Sequence, residues 1–204
     1  MAFPRTYEPS SVSALWLPTG LRQRGHSGKI QVRNITQIGW VWRETWELVN
    51  TRDVDHMALF AYIRNAYNRQ VIFDIKHLLS PGSGLARNGS GTPAGAITVN
   101  GAAQTGSTLS TTGWPISTSD CVRAGDLIAT EQRVHEVSAD ASSDGSGVCA
   151  IPVTPNVFES PANGATVTIS DVVFRSMIWD MPKFSGNRSP SYYSFDLGFV
   201  EVVP

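Results

Sequence analysis

Residues 94 to 171 are cut into short β-rich runs by clusters of Gly, Asp, Asn and Pro. Such punctuation writes a small antiparallel barrel or sandwich, because the turn residues supply tight reversals between strands. At its centre stand Ala124-Gly125-Asp126-Leu127-Ile128, Val134-His135-Glu136-Val137, Ser143-Asp144-Gly145-Ser146-Gly147 and the run from Val148 to Val153. On either side the composition changes. Most of the aromatics, the one helical pattern and most charges lie before Ser80 or after Asp171. The expectation is a mainly β chain in which a small β-barrel module, residues 94–171, is inserted into an outer β-sandwich built from 29–79 and 172–204. Residues 80–93 form the linker, and 1–28 form an extended arm, with Leu15-Trp16-Leu17 as its apolar knot and little structure of its own.

The outer domain is written in alternating strands. Ile30 and Val32 alternate with Lys29, Gln31 and Arg33. Trp40, Trp42, Glu44, Trp46 and Leu48 then share one face, and each indole there buries on the order of 150–250 Å². That face needs a cover. The pattern supplies a helix from Asp53, its cap, to about Tyr67, with Met57, Phe60, Ile63 and Tyr67 inward and Arg64 and Asn68 outward. A short strand, 71–75, follows. Beyond the module, residues 172 to 181 are apolar on both faces, which predicts a central strand. Tyr193, Phe195, Leu197 and Phe199 share one face of the last strand.

Bulk composition narrows the function classes. A 204-residue chain of net charge -1 and pI about 6.4 carries no field that gathers nucleic acid or anionic lipid. The first residues lack an apolar core of the signal-peptide kind and no run approaches membrane-spanning length, so a soluble protein folded in a cytosol is expected. In that compartment Cys121 and Cys149 read as buried reduced thiols.

The motif candidates fail on spacing. Gly82, Gly84, Gly89 and Gly91 are not followed by the Lys-Ser or Lys-Thr of a phosphate loop, and Arg87 occupies the place of a third dinucleotide-binding glycine. Asp140, Ser142, Asp144 and Gly145 match the opening of a calcium loop, but Ile151 stands where the closing Glu is required; a turn on Asp144-Gly145 is preferred. His26, His56, His77 and His135 are scattered and read as surface or interface side chains. A cysteine nucleophile would need a His and an Asn or Asp assembled by the fold. No metal, no cofactor and no catalysis are expected.

Taken together, Val99 through Gly106, Thr112-Gly113-Trp114-Pro115, Arg123 through Ile128, His135-Glu136-Val137, Asp144 through Gly147 and Pro161-Ala162-Asn163-Gly164-Ala165 resemble one family. It is that of the distal tail proteins of long-tailed bacteriophages and related gene transfer agents. The outer strand pair ending in Glu44-Thr45-Trp46 agrees, and the resemblance runs from about Ile30 to Val203. Cys121-Val122 departs from the long aliphatic expected there. The resemblance implies a tail-tube-like outer domain and a structural role in the virion. The chain would form a homo-hexameric ring between the tail tube protein and the hub of the baseplate, near the tape measure protein. The ring leaves a channel for DNA that passes without specific binding, and nothing enters a membrane.

A rival from another class is a carbohydrate-binding module for host-surface attachment, in which Trp114, set between Gly113 and Pro115, is an exposed binding aromatic. The alternative for Trp114 is a plug in the module's core. A cell-wall hydrolase is a third class that no residue pattern asks for.

Overall fold

A computed structural model describes residues 9–13, 21–24, 30–33, 39–50, 54–76, 88–180, 183–186 and 192–203. The fold is mainly β, with one helix among these residues. In chain order the elements are β1 (Ser11–Val12), β2 (Leu21–Arg24), β3 (Ile30–Arg33), β4 (Val41–Asn50), α1 (Val54–Arg69), β5 (Phe73–Ile75), β6 (Thr98–Val99), β7 (Gly106–Thr112), β8 (Leu127–Ala129), β9 (Val134–Val137), β10 (Val148–Val157), β11 (Phe174–Ile178), β12 (Lys183–Gly186) and β13 (Tyr192–Glu201). The chain divides into two compact units: Met1–Ile75 with Arg175–Val203, and Lys76–Phe174 between them in sequence.

In the first unit one antiparallel sheet runs β1-β4-β13-β11-β5, with β12 also paired to β13. Its inner face is an aromatic ladder set by register. Trp46 lies opposite Phe195 and stacks on it at 4.8 Å, and Trp42 lies opposite Phe199 and stacks at 5.3 Å. Phe60 of α1 meets Phe195 edge-on at 5.2 Å, so the helix does cover the indole face. Glu44 lies on that face with no exposed surface, and its Oε1 accepts a hydrogen bond from Trp42 Nε1.

Several expectations for this unit need correction. The helix is turned from its expected face: Leu59, Phe60, Ile63 and Ala66 are buried, while Met57 is 48% exposed. The arm contains strands. β2 pairs antiparallel with β3, and β1 pairs with β4 of its own chain, so the arm has regular structure where little was expected. β11 is buried on one face only, through Phe174, Ser176 and Ile178, and Trp179 just beyond it is 49% exposed. Tyr193 is exposed while Phe195, Leu197 and Phe199 are buried, and the β4 pairing shifts between Tyr193 and Phe195. The Asp53 cap, Leu15-Trp16-Leu17 and linker residues 80–87 lie outside the described residues.

The second unit is a five-stranded sheet, β6-β7-β10-β9-β8, curled around Ile97, Leu109, Trp114, Ile128, Ile151 and their neighbours. Residues 164–168 close it. Val99 N–H donates to Ala165 O and Val167 N–H to Ile97 O on the β6 side, and Ala129 and Thr168 exchange both hydrogen bonds on the β8 side. One segment thus seals both edges of the sheet, the usual remedy for unpaired strand edges.

β13 is the centre of the first unit, paired along most of its length with β4 and also with β11 and β12. A chain ending at Ser191 loses Phe195, Leu197 and Phe199 from the core, and insoluble expression is the expected outcome. Soluble truncated protein with an unchanged thermal transition would contradict this.

Candidate functional site

The residues that carry the sequence motifs lie in the second unit, and their polar groups turn out to hold backbone. In Ala124-Gly125-Asp126, the Asp126 carboxylate is fully buried. Its Oδ1 accepts from Asn88 N–H at 2.7 Å, and its Oδ2 from Arg123 N–H at 2.9 Å and Gly89 N–H at 3.2 Å. Residues 88 and 89 belong to the segment expected to be plain linker. They are instead docked on the barrel, and Gly89 packs so tightly on the Cys121 carbonyl that a Cβ would overlap it. Asp140 Oδ1 receives Ala124 N–H at 2.9 Å.

The other motif residues behave alike. Gln104 Nε2 donates to the carbonyls of Asn100 and Ser110, and its Oε1 accepts from Ser110 N–H. Asn163 Oδ1 accepts from Gly101 N–H. Asp144 Oδ1 accepts from Ser146 and Val148 N–H, and the Val148 and Ser146 amides hold its carboxyl below the usual range. Ser142 Oγ receives Asp120 N–H. The oxygens of the calcium-like loop thus serve backbone N–H groups, Asp144 those of its own turn and Asp140 and Ser142 those of residues 124 and 120. Among the described residues no group of three or more His, Cys, Asp or Glu is placed to hold a metal ion, and no helix is long and apolar enough to cross a membrane.

Trp114 is not a surface aromatic. It is 4% exposed, and its Nε1 donates to Thr111 Oγ1 at 2.8 Å, while Thr111 Oγ1 donates to the Cys149 carbonyl. The position between Gly113 and Pro115 left both placements open, and packing decides for the core. Cys121 and Cys149 are buried free thiols. Burial, then Cys121 and Asp144, push the Cys149 thiol up to about 11, which keeps it protonated and poorly nucleophilic at neutral pH.

The exposed apolar side chains mark what sequence reading missed. In the first unit Trp179 lies beside Gly198 and the ion pair of Arg43 with Asp180 at 2.8 Å. Its signal was the lone Gly198 within an aromatic strand, a position where another group approaches the backbone. In the second unit Ile116 is 69% exposed, on a loop tied by the Ser117 N–H bond to Asp144 O.

His135 also departs from expectation, being a core residue 1% exposed. Its Nδ1 lies 2.7 Å from the Pro155 carbonyl, which can only accept, so Nδ1 carries the proton. Burial lowers its pKa from 6.5 to about 4, aided by Arg133 and opposed by the Pro155 bond. Between those values an unfolded chain takes up a proton that the folded one refuses. Stability is therefore full above pH 6.5 and falls as pH drops towards 4, by about 3 kcal/mol in all. Melting curves across this range should show a steeper loss for the native chain than for His135→Gln; parallel curves would contradict the assignment. His56 is half-buried, and His26 and His77 lie outside the described residues.

Compared with known proteins, the chain matches no protein-family model and no curated protein.

Proposed function

We propose that this chain is a structural subunit of a tail tip, either of a long-tailed bacteriophage or of a gene transfer agent. In this reading copies of the chain close into a homo-hexameric ring that joins the tail tube protein to the baseplate hub, next to the tape measure protein. The ring keeps a channel through which DNA passes. The chain is made and assembled in the bacterial cytoplasm and ends at the tail tip of the virion. A role of this kind asks for no catalytic residue and no cofactor.

The observation that carries the reading is the nesting of a sealed five-stranded barrel within the sequence of an aromatic-cored β unit. That is the arrangement the resemblance implies. The roles of Gln104, Asp126, Asp144 and Asn163 support it too, since a motif that serves shape rather than chemistry would consist of side chains bonded to backbone. The rival reading, host attachment through Trp114, loses its platform because that indole is in the barrel core.

Native mass spectrometry of the full chain tests the proposal. Six copies of the 22.1 kDa subunit are expected, together with ring-shaped particles in negative stain. A monomer at every concentration, or a closed two-fold dimer, would contradict it.

A further inference from the structure

On the outer face of the first unit's sheet Gly198 leaves bare backbone, and the Trp179 indole lies over it. Leu197 and Phe199 turn into the core, so the position between them faces the other way. A Cβ at Gly198 would lie 2.6 Å from Nε1 and 3.2 Å from Cδ1 of Trp179, and 3.1 Å from Cβ of Asp180. The indole therefore rests on bare backbone, fixed further by the Trp179 N–H bond to the Gly198 carbonyl at 3.1 Å. Arg43, the register partner of Gly198, pairs with Asp180 at 2.8 Å. Two residues along, Thr45 Oγ1 donates to Asp196 Oδ1 at 2.7 Å. Trp179 keeps 49% of its surface in solvent, and the Arg43 and Asp180 side chains keep 37% and 30% of theirs.

We infer that this patch binds a neutral pyranose ring, with Trp179 as the stacking platform and the Arg43–Asp180 pair as the hydrogen-bonding edge. A pyranose offers one face of C–H groups and a rim of hydroxyls that both donate and accept. A half-exposed indole matches the first. A guanidinium that only donates beside a carboxylate that only accepts matches the second. An apolar side chain from a protein partner would satisfy the indole but strip water from the ion pair without replacing it, which is costly. Arg43 is already paired with Asp180, so it offers the carboxylate of a uronate or the phosphate of a phosphorylated sugar no unpaired charge. The platform is already fixed by backbone contact, which removes part of the ordering cost of binding. The site lies in the first unit and does not depend on the ring.

The test is a titration of the full chain with methyl β-glucopyranoside and cellotetraose, followed through the indole N–H signals in two-dimensional NMR. The Trp179 signal is the one missing from Trp179→Phe. It should move selectively, with a dissociation constant of about 1 mM for the tetramer. Trp179→Ala should abolish the effect. Asp180→Asn, which preserves side-chain volume and leaves the indole in place, should weaken binding about tenfold. A galacturonic acid tetramer should leave the signal unmoved. The inference is overturned if no neutral sugar moves the Trp179 signal, if Asp180→Asn binds as the native chain does, or if the acidic tetramer binds equally well.

Discussion

A carboxylate removed from water must find donors to replace it, and Asp126 finds three in backbone N–H groups. They come from two separated stretches, Asn88 with Gly89 ahead of the barrel and Arg123 in the turn preceding β8. One side chain thus fixes both the local turn and the path by which the chain joins the barrel. The ion pair of Lys76 with Asp171 also links the start of this unit to its end, at 2.6 Å, but both partners are largely exposed. Exposed pairs contribute between nothing and about 1 kcal/mol, whereas bonds to a buried charge are worth about 1.5–3 kcal/mol each. The buried carboxylate therefore governs.

The two units solve the problem of sheet edges differently. The barrel spends residues 164–168 on sealing itself. The sheet of the first unit ends at β1, only two residues long, and its reach is extended by hydroxyls: Ser13 Oγ accepts from Arg43 N–H and Ser10 Oγ from Glu47 N–H. β4 is thereby covered on that side from Arg43 to Glu47. In a ring of the kind proposed, the described residues of the barrel offer little edge for strand pairing, and contacts between copies fall chiefly to the first unit.

The alternation from Trp40 to Trp46 was legible because period two on an apolar face has few other meanings, and the same holds for Phe195 to Phe199. The face of α1 was less so. Met57 fits a helical period as well as Leu59 does, and only the position of Phe195 against Phe60 selects between them. Trp114 and His135 show what local sequence cannot hold. Each is buried through partners distant in the chain or the loop geometry around it, Thr111 with Cys149 for the first and Pro155 for the second. The exposure of Trp179 was hidden for the opposite reason: residues 172 to 181 are apolar on both faces in sequence, yet the indole keeps 49% of its surface in solvent. The motif residues were legible as a group, but their work as backbone acceptors required the fold.

Hydrogen exchange on Asp126→Ala tests most directly whether one buried carboxylate holds a separately closed barrel. The account predicts that the barrel amides lose roughly 3 kcal/mol of protection or more, while β4 and β13 exchange as in the native chain. Unchanged protection in the barrel, or equal loss in both units, would contradict it.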